Sequence, residues 1–259
     1  MTSAVLTPWW RHRRPATTVA VDDLGSADPT PILDWRHPQV QHLLAAARET
    51  TQPGERALLQ AAHRLISETV RPVYALNDIQ PVSRTLARGV GSCSQRLAVL
   101  EAVARAGGIS TRVRGLLVDG SFWYSRFPRL RRLVPDTVLL AWPEFRTGQT
   151  WLNVSELYAP LDALGAANPR GFTNTGSQTL FEALASTAVD WDGSTCGSDS
   201  CSSFDLSALV REDLGRFSSR DELFAAHGQT LCPPARIIGG ALLGRRAAGA
   251  ADARRKVTG

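Results

Sequence analysis

The strongest constraint on the fold is a change of hydrophobic periodicity at Gly107-Gly108. Before this glycine pair, apolar side chains recur at helical spacing in three stretches, and after it three stretches have the composition of β-strands. The helical stretches are residues 40–47, 58–66 and 97–104, and the strand stretches are residues 111–118, 137–145 and 151–154. Helices first and an antiparallel sheet afterwards predict the α+β fold class.

The rest of the chain of 259 residues divides around this core. We expect an N-terminal arm over residues 1–34, the core over residues 35–160, a mostly helical C-terminal extension over residues 161–240, and a basic flexible tail over residues 241–259. Within the core, residues 72–91 are predicted to be irregular. Within the extension, we expect short helices near Phe181 and at residues 206–214 and 221–226.

Net charge and apolar run lengths limit the partners. The chain carries +5, but its basic excess lies at the two ends and its middle is slightly acidic, so we expect no nucleic-acid partner. No apolar run approaches the roughly 18 residues that a membrane helix needs. We therefore expect a soluble, cytoplasmic protein without a membrane partner, and the single lysine among 29 basic residues indicates a GC-rich bacterial genome.

Cys93 is the main candidate for chemistry. It follows a glycine-containing turn and begins a helix predicted to be strongly amphipathic, where unpaired backbone N–H groups and the helix dipole lower a thiol pKa and favour the thiolate. The alternative is structural, because cysteine is among the most frequently buried residue types.

Several motifs around Cys93 occur in a characteristic order. Gly91-Ser92-Cys93 begins a helix, Ala106-Gly107-Gly108-Ile109 ends it, and Thr111-Arg112-Val113-Arg114-Gly115 opens a strand; Ala141-Trp142-Pro143-Glu144-Phe145 and Trp151-Leu152-Asn153-Val154 follow. Over roughly residues 38–160 this order resembles the core of the transglutaminase-like superfamily.

The resemblance implies a papain-like transglutaminase core with a Cys-His-Asp triad. Such a site acts by acyl transfer, amide hydrolysis or amide formation through an acyl enzyme, with a small-molecule, peptide or carrier-protein-bound acyl substrate and no cofactor. Cys93 matches the nucleophile of the family. Leu140 stands in the position of the family histidine and Ser155 in that of the aspartate, so two members of the triad are missing.

A base that replaces the family histidine should lie on the same strand face as Leu140. Side chains two apart share a face, so Glu144 is the predicted catalytic partner of Cys93. The predicted substrate-binding residues are Trp142, Arg114, Asn153 and Ser155. The alternative is that Glu144 pairs with a strand arginine such as Arg112 or Arg114.

The remaining histidines and cysteines give weaker signals. His227 in the extension is a second candidate base, or else a residue near a helix end. Cys196, Cys201 and Cys232 invite a zinc interpretation with His227, but the spacing is unlike that of structural zinc sites, and we predict no metal. The loop at residues 126–132 combines four arginines with aromatic neighbours. It suits an acidic partner such as a carrier protein, a phosphate-bearing substrate, or a solvated loop.

Two main functions are therefore carried forward, besides a third in which Cys93 and Glu144 transfer a proton on a small substrate without an acyl enzyme. One is a divergent cysteine-dependent acyl transferase or amide-forming or amide-hydrolysing enzyme of bacterial biosynthesis, with Cys93 as nucleophile. The other is a binding or scaffold protein that has kept the fold and lost the triad.

Overall fold

The computed structural model of the protein describes residues 25–195, 206–243 and 248. The described helices are α1 (Pro38–Glu49), α2 (Glu55–Thr69), α3 (Val82–Arg88), α4 (Cys93–Ala106), α5 (Leu161–Ala167), α6 (Leu180–Ala183), α7 (Arg220–His227) and α8 (Pro233–Leu243). The strands are β1 (Arg71–Pro72), β2 (Val90–Gly91), β3 (Thr111–Asp119), β4 (Thr137–Thr147), β5 (Thr150–Asn153) and β6 (Val210–Phe217). None of the described helices is long and apolar enough to cross a membrane.

A four-stranded antiparallel sheet, in the order β5-β4-β3-β6, forms one layer of the domain. Its central pair runs in continuous register from Thr111 opposite Phe145 to Asp119 opposite Thr137. The short strands β1 and β2 form a separate parallel pair just before α4. The observed architecture is the predicted α+β class.

Helix α4 lies in the middle of the domain, between the sheet and the helices α1, α2 and α3. Every residue from Gln95 to Arg105 is buried, so this helix is enclosed on all sides. Its start is fixed by a capping box, in which the Ser92 hydroxyl accepts from the backbone N–H of Gln95 and the Gln95 side chain accepts from the backbone N–H of Ser92. The position of Cys93 is therefore set by a rigid helix terminus.

The three predicted strands of the core are confirmed as β3, β4 and β5, but two expectations about the rest are wrong. The stretch 72–91, predicted to be irregular, contains α3, whose two buried residues Val82 and Thr85 are too few to give a helical period. The stretch 206–214, predicted to be a helix, is a single 3-10 turn followed by β6. As an edge strand, β6 has one buried residue and four charged ones, which hides the alternation of a strand.

Segments on either side of the core complete it. In the predicted arm, Leu33 is fully buried and Ser26 forms a β-bridge with Thr111 at the start of β3. The carboxylate of Asp221 in α7 accepts from the backbone N–H of Ile32. At Gly115 a Cβ would lie 2.7 Å from Leu223, so α7 packs directly on the backbone of β3. The end of the arm and part of the extension therefore belong to the same hydrophobic core.

Arg220 connects α7 to the beginning of α4. Its guanidinium donates to the Glu101 carboxylate at 2.5 Å, to the Ser94 hydroxyl at 3.1 Å and to the Ala141 carbonyl at 3.2 Å. The side chains of Arg220 and Glu101 are both fully buried. Two charges removed from water in this way depend on each other, since either one alone would be buried without a counter-ion.

We expect the Arg220→Met substitution to lower the free energy of unfolding by about 3–5 kcal/mol, because it leaves Glu101 buried and unpaired. Urea denaturation followed by circular dichroism measures this change. The matched control is Arg211→Met, which breaks the exposed ion pair with Asp119 and should cost less than about 1 kcal/mol. Equal losses of unfolding free energy in the two variants would contradict the mutual dependence of the buried charges of Arg220 and Glu101.

Candidate functional site

Cys93 lies at the first position of α4, where the sequence placed it, and borders a cavity of about 280 Å³. Most of the cavity wall is apolar, contributed by the segment before α3, the loop between β3 and β4, and β4 itself. Representative lining residues are Tyr74, Leu76, Phe122, Phe127, Leu139 and Leu140. Among the described residues, its ionisable side chains besides Cys93 and Tyr74 are Asp78 and Arg126, and no histidine lines it.

The thiol of Cys93 does not have the acidity that its position at a helix start suggests. Burial raises its pKa to about 12. The positive charges of Arg96 and Arg220 and the backbone N–H of Phe181 act in the opposite direction, and the Glu182 carboxylate adds to the rise. Loss of hydration outweighs the helix dipole and the arginines, so the thiol is neutral at physiological pH.

The two positions that carry the other triad members in the family are occupied by groups that cannot titrate in the physiological range. Leu140 lines the Cys93 cavity and is almost fully buried. The Ser155 hydroxyl is buried and has no hydrogen-bond partner among the residues that the structure describes, although its backbone N–H donates to Asn153. The histidine position thus adds an apolar wall to the cavity.

Glu144 lies in an ion-pair cluster on the sheet. Its carboxylate accepts from Arg112 at 2.5 Å and from Arg216 of β6 at 3.0 Å, and its side chain is 5% exposed. It is four residues beyond Leu140 on the extended strand β4, a separation of about 13 Å. It is also absent from the cavity lining. This placement matches the alternative interpretation, in which Glu144 pairs with a strand arginine.

The predicted substrate-binding residues likewise make contacts outside the cavity lining. The indole N–H of the fully buried Trp142 donates to the Asn153 side chain at 2.6 Å, and its ring packs edge-on against Trp191. Arg114 forms ion pairs with Asp192 and Asp213 at 2.7 Å each. These contacts hold β3, β4, β5 and the extension together.

His63 is the residue near Cys93 that sequence patterns did not connect with the site. It is buried, its Nδ1 lies 2.9 Å from the Tyr158 hydroxyl, and its Nε2 lies 2.6 Å from the Phe181 carbonyl oxygen. Its ring stacks on the Phe181 ring at 4.3 Å. Phe181 therefore uses its backbone N–H toward Cys93 and its carbonyl toward His63, and so stands between the thiol and the imidazole.

A capped turn holds Phe181 in this place. Thr179 and Glu182 form a capping box around α6, and the Glu182 carboxylate forms an ion pair with the buried Arg96 of α4. The Arg96 guanidinium also lies 4.2 Å from the centre of the Phe181 ring. The apolar spacing of Phe181 and Leu184 predicted a short helix here, and the Thr-x-x-Glu pattern of Thr179 and Glu182 is a second sequence signal for its start.

The other candidates lie elsewhere. His227 is the last residue of α7, is buried, packs edge-on against Phe217, and does not line the Cys93 cavity. Cys232 is partly buried just before α8, and Cys196 and Cys201 lie outside the described residues. Among the residues that are described, no group of three or more His, Cys, Asp and Glu side chains could hold a metal ion.

Together, these features define an α+β domain with a cysteine at the start of its central helix, facing a cavity beside the sheet. Residues 44–155 match the family model of the transglutaminase-like superfamily, and the domain that they form belongs to that superfamily. No curated protein and no solved structure matches the chain. The family assignment thus includes Cys93, Leu140 and Ser155, while the extension lies outside the match.

We expect alkylation of Cys93 by iodoacetamide to keep accelerating up to pH 10 without a plateau, because only the thiolate reacts and the pKa is about 12. Peptide mass spectrometry follows Cys93 separately from the other cysteines. The control is alkylation of Cys93 in the urea-unfolded protein. There the rate should have its midpoint near the ordinary thiol pKa of about 8.5 and level off above it. The Glu144→Gln variant should leave the profile unchanged, and a midpoint near neutrality would contradict the raised pKa of the thiol.

We also expect His63 to make the protein less stable in acid. Burial is the main cause that lowers its pKa below the usual 6.5, so below that pH the unfolded chain binds a proton that the folded chain rejects. The free energy of unfolding should therefore fall as pH drops from 6.5, by at most about 1.4 kcal/mol per pH unit from this group.

Urea titrations over this pH range should show a smaller slope in His63→Gln than in the wild type. The control is His42→Gln, which removes an exposed histidine of α1 in place of the buried one. Identical slopes in the two variants would show that His63 does not contribute.

Proposed function

We propose that the transglutaminase-like domain binds an apolar ligand in the Cys93 cavity and acts as a binding or scaffold protein without the triad. The observation that carries this proposal is Leu140, which takes the position of the family histidine and lines the same cavity as Cys93. A hydrocarbon side chain there removes the base and adds apolar surface where a ligand would lie. The neutral thiol supports the same conclusion.

The size and lining of the cavity suit a small, mostly apolar molecule. Its volume of about 280 Å³ is near the lower end of small-molecule sites, which span roughly 300–1,000 Å³. Aromatic and aliphatic groups form most of the wall, so the free energy of binding would come chiefly from removing apolar ligand surface from water.

Few polar groups remain to orient a ligand. Arg126 is already committed, because it donates to the carbonyl and side-chain oxygens of Asn174 and to the Gln178 carbonyl. The hydroxyls of Ser92 and Ser94 accept from Gln95 and Arg220, respectively, which leaves their own O–H groups able to donate. An acyl group fits this arrangement, since its chain is apolar and its carbonyl oxygen is an acceptor.

Cysteine-dependent acyl transfer is the second candidate function. The observation in its favour is that Cys93 begins a helix and also faces the backbone N–H of Phe181, so donors are present for a thiolate or an oxyanion. In that case a base would take the proton of the Cys93 thiol, and the thiolate would attack the carbonyl of an acyl thioester or amide. The bond to the substrate's thiol or amine would break, this group would leave with the proton, and a thioester with Cys93 would form. Attack by water or an amine would then release the acyl group and regenerate the thiol. The carboxylate that shares the cavity with Cys93 is that of Asp78, which makes Asp78 a better placed base than Glu144.

A displacement titration tests the binding function. We expect straight-chain alcohols to displace the apolar fluorophore N-phenyl-1-naphthylamine, with affinity rising about three- to fourfold for each added CH₂ until the chain fills the cavity. The Ala75→Trp variant should weaken binding of the fluorophore at least about tenfold, because Ala75 lines the cavity and the larger side chain occupies it. The control with the same change in size is Ala45→Trp, at an exposed position of α1.

Release of thiol from a thioester with a long acyl chain distinguishes ligand binding from acyl transfer. The binding function predicts no release above the uncatalysed rate, and it predicts that Cys93→Ala still binds the fluorophore. Turnover that disappears in Cys93→Ala would replace the binding proposal with acyl transfer. Equal fluorophore affinities in Ala75→Trp and Ala45→Trp would overturn the assignment of the cavity.

A further inference from the structure

Exposed apolar side chains are concentrated around the Cys93 cavity. The exposed large hydrophobic residues of the described chain are Ile79, Leu133, Ile237 and Ile238. Leu133 itself lines the cavity, and Ile79 follows the lining residue Asp78. The two isoleucines of α8 are the most exposed, at 74% and 64%.

Helix α8 borders the same cavity. Leu243 at its end belongs to the cavity lining, and Gly239 lies so close to the lining residue Leu76 that an added Cβ would be 2.6 Å from the Leu76 side chain. Farther along, the backbone N–H of Ala248 donates to the Pro72 carbonyl, and both residues line the cavity. We call Ile79, Leu133, Ile237 and Ile238 the apolar rim.

Positive charge accompanies the apolar rim. Residues 126–136 contain four arginines and one aspartate, and Arg129, Arg131 and Arg132 are exposed directly beside Leu133. Helix α8 carries Arg236 and no acidic residue, and residues 233–259 together contain six basic residues and one acidic residue. Much of the +5 charge of the chain is thus carried by residues 126–136, by helix α8 and by the residues that follow α8 in the sequence.

We propose that the apolar rim and its arginines form a docking surface for an anionic lipid bilayer, contrary to the expectation of no membrane partner drawn from apolar run lengths. Exposed aliphatic residues on a helix without acidic residues, beside clustered arginines, are the two signals that together hold a protein at a lipid interface. A bilayer accepts isoleucine side chains among its acyl chains and arginines among its headgroups without needing a complementary shape. An acidic protein would pair with the arginines but would have to be shaped to cover the isoleucines.

The docking surface gives the cavity a source of ligand. Apolar molecules partition into bilayers, so a cavity that opens toward the lipid would receive its ligand without passage through water. This statement about the ligand rests on the proposed function, whereas binding of the protein to lipid does not depend on it.

Flotation with lipid vesicles tests the docking surface. We expect the full-length protein to float with phosphatidylcholine vesicles that contain phosphatidylglycerol and not with vesicles of phosphatidylcholine alone, and added salt should weaken the binding. The double variant Ile237→Ser with Ile238→Ser should bind at least about tenfold more weakly, because the inserted apolar surface is lost. The double variant Arg131→Glu with Arg132→Glu should show a similar loss through charge.

The control for charge is the double variant Arg48→Glu with Arg146→Glu. Both arginines are exposed, and neither lines the cavity, so this variant has the same net charge as the arginine variant of the rim and should keep most of the binding. Circular dichroism and the fluorophore titration check that each variant is folded.

Several results would overturn the proposal. Absence of binding to anionic vesicles would do so, as would equal losses in the rim and control variants. A dimer in lipid-free sedimentation experiments that the isoleucine variant abolishes would assign the rim to self-association, and retention on an acidic carrier protein without vesicle binding would assign it to a protein partner. Intact fluorophore binding in any of these cases would leave the cavity proposal standing.

Discussion

The structure depends on three charged side chains that α4 buries in the centre of the domain. Arg96, Glu101 and Arg105 are at most 2% exposed, a placement that is tolerated only when each charge finds a partner. All three find partners outside residues 44–155, the part that matches the family. Glu182 pairs with Arg96, Arg220 pairs with Glu101, and the Asp28 and Ser218 carbonyls accept from Arg105. The flanking segments are therefore bound to the central helix by interactions that have a high free-energy cost to break.

The same interactions determine the chemistry of Cys93. Glu182 is held by Arg96, and this contact brings Phe181 between the thiol of Cys93 and the imidazole of His63. The extension thereby reduces the hydration of the sulfur, and burial becomes the largest influence on its pKa. A cysteine that sequence position marks as a nucleophile is in this way kept neutral, at one end of an apolar cavity. Loss of the histidine at Leu140 and enclosure by the extension act in the same direction.

The parts of the fold that the sequence predicted are those with a strong local signal. The three strands β3, β4 and β5 have the composition of β-strands, and the start of α4 has a capping serine and glycine just before it. In contrast, α3 and β6 were missed, because a seven-residue helix with two buried positions and a charged edge strand carry almost no periodicity. Arg112 of β3 lies directly opposite Glu144, and Arg216 lies on β6, the strand on the other side of β3. The ion pairs of Glu144 therefore depend on how three strands align, and the spacing of residues along β4 does not contain that information.

The sequence by itself determined the fold class, the cysteine at the head of the central helix, and the absence of the histidine and aspartate that would accompany it. These features depend only on the identity of the residues and on their local order along the chain. Only the tertiary structure decided that Glu144 belongs to an ion-pair cluster, that the extension encloses the thiol, and that Leu140 faces an apolar cavity. The physical reason is that acidity and binding depend on which groups exclude water from a site, and for Cys93 those groups come from segments up to 155 residues away in the chain.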